Sequence, residues 1–211
     1  MTNLPSLLDY NAKTRRNEIG FLCPEENTFR KVSWIEFNNL VRALAASYAN
    51  VFHAQLVSGI TNAKQPTVAL LGVGHTFQYF ATQLALVRLG LRVLLLSPSN
   101  APAARDHLLD ACDVVGVVAE EQLLQTVQDL DMPVAKLLSQ PTAESFTEGK
   151  DMLAFAPTDS WNSHSFVIHS SGTTGLPKPI IHTHRSMMLI ARMYRLFPEF
   201  YISNWYLAFP L

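Results

Sequence analysis

Short apolar runs alternate with segments of helical periodicity through the middle of this sequence. The apolar runs are residues 67–71, 91–96, 114–118 and 134–138, and the helical segments between them are 77–90, 101–111 and 121–130. Runs that are apolar at every position, instead of every second one, are typical of parallel strands covered on both faces. The sequence therefore predicts an α/β fold, in which a mostly parallel sheet is flanked by helices.

A strand and a capped helix are predicted upstream of this alternation. The strand runs from Thr28 to Ser33, and Ser33 with Glu36 three residues later matches a capping box, so a helix is expected to begin there. Apolar residues at three- and four-residue spacing then give this helix one buried face: Phe37, Leu40, Val41, Leu44, Ala45, Tyr48 and Phe52. Residues 50–65 are expected to form the frayed helix end and a loop.

Charge and cysteine content exclude several classes of function. The chain has 211 residues with 16 basic and 17 acidic side chains, so it shows no footprint for nucleic acid or an anionic membrane surface. Its most apolar run, residues 91–96, is far too short to span a bilayer. Cys23 and Cys112 have no partner at metal-ligand or redox spacing. We therefore expect structural thiols in a reducing compartment, the cytoplasm.

The chemistry is expected in the last third of the sequence. Residues 139–160 lack a clear period and are rich in Pro, Thr, Glu and Asp, so we expect an internal surface connection there. A predicted strand at 165–169 leads into a loop, 170–179, and a second extended segment follows at 180–184. Ser186 is then expected to cap a helix whose methionines fill the core.

The loop between these strands is suited to bind a polyphosphate. Glycines at 172 and 175 let the backbone turn tightly and bring amide groups close to an anion. Lys178 supplies positive charge, and hydroxyl donors come from Ser170, Ser171, Thr173 and Thr174. Phosphate oxygens only accept hydrogen bonds, and each of these groups can donate one, so a triphosphate such as ATP fits.

Other nucleotide and metal motifs match less well. The loop is not a Walker P-loop, because Gly172 and Gly175 are only three apart and Pro179 follows the lysine. A dinucleotide fold is disfavoured because no Gly-x-Gly-x-x-Gly follows the first apolar strand. His182 and His184 alternate as metal ligands on a strand could, but no Cys, Asp or Glu is near them in the sequence. A structural role is favoured for both, and no metal ligand is assigned.

Residues 171–178, Ser-Gly-Thr-Thr-Gly-Leu-Pro-Lys, together with Thr183 and His184, resemble the signature of the adenylate-forming superfamily. That superfamily includes acyl-CoA synthetases, luciferases and the adenylation domains of non-ribosomal peptide synthetases. The resemblance extends from about Thr28 onward. It implies that the chain is the N-terminal part of an adenylation, or AMP-binding, domain covering residues 1–211.

The resemblance also implies a reaction and assigns residues to it. In the family the loop closes over the β- and γ-phosphates of ATP while a carboxylate attacks the α-phosphate, giving an acyl-adenylate and pyrophosphate. By position, the hydroxyls of Ser170, Ser171, Thr173 and Thr174 would hold the phosphates, Gly172 and Gly175 would shape the loop, and Lys178 would be the catalytic cation. The family's acidic magnesium ligand is expected outside this chain.

Two positions depart from the family pattern. His169 stands where an aromatic residue is usual, and Pro179 stands where glycine is usual. Pro179 removes an amide donor and favours extended geometry at Lys178. Serine-rich loops that end in Pro-Lys-Pro resemble those of fungal synthetase-like proteins, which join adenylation, carrier and reductase domains. That resemblance suggests a place in secondary metabolism.

The last residues, 205–211, have the pattern of an unfinished buried strand. Three interpretations stay open: part of a longer synthetase, a truncated and inactive remnant or binding module, or a half that works with a separately encoded partner. A carrier domain is a further partner that the resemblance implies. The resemblance places the acid-binding residues after this point, so the sequence does not predict which carboxylic acid is the substrate.

Overall fold

The computed structural model describes residues 3–25, 28–74, 76–138, 154–156, 159–170 and 175–196. Helices in these ranges are α1 (Leu4–Thr14), α2 (Trp34–Val51), α3 (His53–Thr61), α4 (Phe77–Arg88), α5 (Pro102–Ala111) and α6 (His184–Leu196), with a 3₁₀ helix at Glu121–Thr126. Strands are β1 (Ile19–Glu25), β2 (Thr28–Ser33), β3 (Thr67–Leu71), β4 (Arg92–Leu96), β5 (Val114–Ala119), β6 (Val134–Lys136), β7 (His164–Ser170) and β8 (Lys178–Thr183).

The strands within the described residues form a two-stranded hairpin, β1–β2, and a sheet of six strands in the order β6-β5-β3-β4-β7-β8. The pairs from β6 to β7 are parallel, and only the β7–β8 pair in that sheet is antiparallel. The predicted α/β fold with a mostly parallel sheet is confirmed. The order also shows that the chain leaves β3 towards β4 on one side and returns to β5 on the other.

Each face of the sheet is covered by its own apolar core. Val68 and Leu70 of β3 face a core built with α1, α2 and α4, in which Phe37 and Tyr48 are fully buried. Ala69 and Leu71, which alternate with them, face a second core built with α5. A strand with both faces buried needs apolar residues at every position, which explains the continuous runs in the sequence.

Helix α1 is held to the domain by a charge network that the sequence pattern does not reveal. The Arg88 guanidinium donates to both carboxylate oxygens of Asp9, at 3.1 and 2.9 Å, and to Asn38 Oδ1 at 2.9 Å. Asn38 Nδ2 donates back to Asp9 Oδ1 at 3.1 Å. Burial raises the pKa of Asp9, but the contacts with Arg88 outweigh it and leave the pKa below its ordinary value.

The structure corrects three local predictions. Residues 53–61 form α3 instead of a loop, because Leu56 is fully buried although no side chain caps the helix. The helix predicted at 121–130 is only the short 3₁₀ helix Glu121–Thr126. Ser186 does not cap α6; its amide donates to Thr183 Oγ1 at 3.1 Å, so Thr183 is the capping residue.

Candidate phosphate-binding site

The predicted phosphate loop connects β7 and β8 at one edge of the sheet. β7 lies parallel to β4, with Val93 opposite Phe166, and β8 returns antiparallel to β7. Ser170 and Lys178 are cross-strand partners at the end of this hairpin. The two ends of the loop are therefore fixed against each other, at the carboxyl end of β7.

Predicted site residues at the base of the loop lie where the pattern indicated. Ser170 is the half-buried last residue of β7, and Lys178 is the exposed first residue of β8. Gly175 is exposed and has φ +154°, a backbone angle that other residues adopt only with strain. Ser171, Gly172, Thr173 and Thr174 lie outside the described residues.

β7 anchors the hairpin through its buried residues, whereas β8 is exposed to solvent. Phe166 and Val167 are almost completely buried, whereas Ile180 and Ile181 of β8 are 44% and 47% exposed. Pro179 fits such a strand, because proline is tolerated at sheet edges, where one side of the strand needs no amide donor. The side chain of Lys178 makes no hydrogen bond or ion pair with the residues that the structure describes, so its ammonium group is free to meet an anion.

A contact that the sequence did not reveal joins the end of β7, at the base of the loop, to the turn that follows β4. Asn100, in the turn between β4 and α5, lies with its Nδ2 3.2 Å from His169 Nε2. Burial lowers the pKa of His169, although the adjacent Ser170 backbone partly offsets this. Asn100 carries no motif, so only the adjacency of β4 and β7 could have drawn attention to it.

Concave surfaces lie at both ends of the parallel strands. A cavity of about 110 Å³ is at the carboxyl end of the parallel strands, and its lining includes Leu71, Ser97, Asn100 and Arg105. A larger groove of about 300 Å³ is lined by Val114, the first residue of β5, and so lies at the amino end of the parallel strands. The smaller cavity is the one whose lining includes Asn100, the residue that contacts His169.

The exit of β8 is held by His184, the first residue of α6. Its Nδ1 accepts a hydrogen bond from the Leu4 amide at 3.2 Å, and its own amide donates to the Ser163 carbonyl at 3.0 Å. Burial lowers the pKa of His184 to about 4, so the ring is neutral near pH 7. His182 is half-buried, and no group of three or more His, Cys, Asp or Glu side chains suited to a metal occurs within the described ranges.

A mostly parallel α/β sheet with a glycine- and hydroxyl-rich sequence after a strand's carboxyl end is typical of domains that bind phosphate groups. The chain belongs to the AMP-binding enzyme family, whose model matches residues 8–208. The resemblance drawn from the loop residues is thereby confirmed. None of the helices that the structure describes is long and apolar enough to cross a membrane.

Curated relatives are fungal adenylate-forming reductases. An adenylate-forming reductase of Heterobasidion annosum is 26% identical over 205 residues, which are 88% of this chain and 19% of that protein. Another, from Aspergillus terreus, is 31% identical over 143 residues, 61% of this chain and 13% of that protein. The chain thus spans less than a fifth of the length of these relatives.

Solved structures share the fold at low sequence identity. The fatty acyl-adenylate ligase from L. pneumophila, in complex with acyl adenylate and pyrophosphate, matches with a TM-score of 0.66 at 15% identity, over 92% of this chain and 33% of that one. The N-terminal subdomain of NpsA from Klebsiella oxytoca matches with a TM-score of 0.63 at 17% identity, over 88% of this chain and 43% of that one. The described fold is that of the N-terminal part of an adenylate-forming enzyme.

Proposed function

We propose that this chain takes part in the ATP-dependent activation of a carboxylic acid as its acyl-adenylate. The observation that carries the proposal is the β7–β8 hairpin, in which Ser170 and Lys178 face each other and Lys178 is exposed and unpaired among the described residues. Membership of the AMP-binding family and the adenylate-forming relatives support the same reaction.

The reaction places a defined demand on the loop. A carboxylate oxygen attacks the α-phosphorus of ATP, the bond from that phosphorus to the oxygen bridging to the β-phosphate breaks, and pyrophosphate leaves. Negative charge builds up on the departing β- and γ-phosphates. The Lys178 ammonium and the loop's hydroxyl and amide donors would stabilise that charge, with Ser171, Thr173 and Thr174 as the proposed hydroxyl contacts.

Magnesium would accompany ATP and neutralise part of the triphosphate charge. The described residues contain no cluster of three or more potential metal ligands, so the protein's own magnesium ligand is assigned to none of them. Loop hydroxyls are hard oxygen donors and suit a phosphate-bound magnesium ion without replacing an acidic ligand.

The relatives suggest the setting of the reaction. They include adenylate-forming reductases and a non-canonical non-ribosomal peptide synthetase of Acremonium egyptiacum, each far longer than this chain. We therefore propose that the chain acts in secondary metabolism as part of a longer synthetase, which hands the activated acid to a carrier domain. The sequence has only two cysteines, at no metal-ligand or redox-motif spacing, which favours the cytoplasm as the compartment.

Acid-dependent exchange of labelled pyrophosphate into ATP tests the proposal, with a panel of aryl, amino and fatty acids. Lys178→Ala is expected to lower exchange by about 100-fold without changing the unfolding transition, because the removed charge acts mainly in the transition state. Lys64→Ala is the matched control, since Lys64 is exposed, lies before the amino end of β3, and has Asp113 as its one ion-pair partner among the described residues.

Each outcome of this test has a definite meaning. Exchange that survives Lys178→Ala rejects the assigned role of Lys178. Absence of exchange from a folded wild-type chain favours the alternative, an inactive remnant or binding module. Supplying the remaining part of a relative's adenylation domain in trans then distinguishes a remnant from a half that needs a partner.

A further inference from the structure

The two positions at which the loop departs from the family pattern lie directly opposite each other. His169 on β7 and Pro179 on β8 are cross-strand partners, one position further from the loop than the Ser170–Lys178 pair. Opposite residues on antiparallel strands are close enough for their side chains to interact. The two departures are therefore a single structural change at the base of the phosphate loop.

The base of the hairpin depends on contacts beyond its backbone ladder, which Pro179 leaves intact because its nitrogen is on the open side of this edge strand. Proline has no amide hydrogen, so β8 lacks one backbone donor immediately after Lys178, on the side away from β7. The edge strand has no buried residue, and its pairing with β7 is its main attachment among the described elements. Any additional contact that fixes the β7 side of the hairpin therefore has more influence on the loop than it would in a buried strand.

His169 supplies such a contact by reaching outside the hairpin. Its Nε2 lies 3.2 Å from Asn100 Nδ2, and Asn100 is itself fixed by a backbone bond from its amide to the Ser97 carbonyl at 3.2 Å. The turn after β4 is thus tied to the residue that precedes Ser170. An aromatic hydrocarbon ring at position 169 could pack there but could not form this hydrogen bond.

The second ring nitrogen of His169 is buried in a way that costs free energy of folding. His169 Nδ1 is buried and makes no well-formed hydrogen bond with the described residues, although it lies beside the Ser170 backbone. A buried nitrogen without a full partner is unfavourable, so packing alone does not account for a histidine here. The Asn100 contact is what the polar ring contributes.

We infer that Asn100 and His169 form a positioning pair, which fixes the first residue of the phosphate loop relative to the turn after β4. This inference rests on the proposed function, since the loop that the pair positions is assigned to ATP. Neither residue is assigned a contact with ATP. Their effect is transmitted through Ser170.

Steady-state kinetics of exchange in single and double variants test the pair. Asn100→Ala and His169→Ala are each expected to raise the KM for ATP about fivefold with little change in kcat, and the double variant to raise it no further, because both remove one interaction. Ser99→Ala is the matched control; Ser99 lies in the same turn, where its hydroxyl contacts only Ser97 among the described residues. Multiplying effects in the double variant would overturn the pair.

Restoring the usual residue types gives a sharper test. The double variant His169→Phe with Pro179→Gly is expected to be insensitive to a further Asn100→Ala change, because the contact between Asn100 and His169 is already absent. A fivefold rise on adding Asn100→Ala in that background would show that Asn100 acts without His169, and would contradict the inference.

Nuclear magnetic resonance of the His169 ring, recorded without nucleotide, separates this inference from the proposed function. Asn100→Ala is expected to shift the ring nitrogen signals of His169 and leave those of His53 unchanged. A ring that does not respond rules out the pair. A ring that responds in a chain that binds no ATP rejects the proposed function, and the positioning role with it, while leaving the contact itself established.

Discussion

Strands β3 and β8 lie in the same sheet but are stabilised in different ways. Every residue of β3 is buried, and its two neighbours, β4 and β5, run parallel to it. β8 has no buried residue, and its partner β7 runs antiparallel. The first strand is determined by packing on both faces. The second carries Lys178 and is positioned by a few polar contacts at its ends.

This contrast separates the residues that maintain the fold from those assigned to the chemistry. Substitutions in the buried strands are expected to change the free energy of unfolding, because cavities there cannot collapse fully. Substitutions in the hairpin are expected to change ATP binding more than stability. A phosphate loop must admit a large polar ligand, and an exposed hairpin allows that without opening a core.

The largest stability difference is expected between an apolar truncation in each region. Leu94→Ala in β4 is expected to lower the free energy of unfolding by about 3 kcal/mol, because Leu94 is fully buried between β3, β7 and α5. Ile180→Ala, at a side chain 44% exposed, is the control and is expected to cost less than about 1 kcal/mol. Chemical denaturation measures both, and equal losses would contradict the contrast.

Two glycines with positive φ allow a second comparison. Gly90 has φ +75°, and a Cβ there would lie 1.9 Å from the Phe155 carbonyl oxygen, so Gly90→Ala is expected to cost about 2 kcal/mol or more. A Cβ on Gly175 would meet nothing within 4 Å, so Gly175→Ala carries backbone strain alone, about 1 kcal/mol.

The functional effects of these two substitutions should be in the reverse order. Gly175→Ala is expected to weaken ATP binding, because it alters the loop's backbone, while the folded fraction of Gly90→Ala should bind ATP normally. Thermal unfolding and calorimetric titration with ATP measure the two quantities. A Gly175→Ala chain that binds ATP as the wild type does would show that the loop tolerates a side chain at this position.

The effect expected to be smallest near neutral pH is a dependence on pH through His184, which appears only as the solution is acidified. Its pKa is about 4 in the folded chain, against an ordinary value of 6.5, so between these values the unfolded chain binds the extra proton. The free energy of unfolding should therefore fall as pH falls through this window, by up to about 1.4 kcal/mol per pH unit. His184→Asn should reduce that slope in denaturation curves at several pH values; an unchanged slope would assign it to other groups.

The elements that could be predicted from the sequence are those whose own residues determine them. β3 and α2 were predicted because one is apolar at every position and the other begins with the Ser33–Glu36 capping box, which the structure contains. α1 and α3 were not predicted, because the capping box of α1 is Asn3 with Ser6 in place of the usual Ser or Thr with Glu or Gln, and α3 has no side-chain cap. α1 is instead held by the Asp9–Arg88 contact, between residues distant in the sequence.

The candidate site shows the same division. Lys178 and Gly175 were found from a contiguous motif, and the structure places both at the hairpin that the motif implied. Asn100 was missed because its partner His169 is 69 positions away and no local pattern marks the contact. Pairing of β4 with β7 brings Asn100 and His169 together, and the order of strands in a sheet cannot be predicted from any single segment of the sequence.

That strand order also governs the period when the chain emerges from the ribosome. β4 is made early, but Phe166 follows its pairing partner Val93 by 73 residues, after four further elements. At usual rates of synthesis the delay is roughly 4 to 15 s. During this delay, the edge of β4 that will pair with β7 has no partner strand. β4 is apolar from Leu94 to Leu96, and an unpaired apolar strand is the kind of surface on which nascent chains associate. Yield of soluble protein should therefore depend on how fast β7 arrives, and slower translation through residues 97–165 would prolong the exposure of this edge.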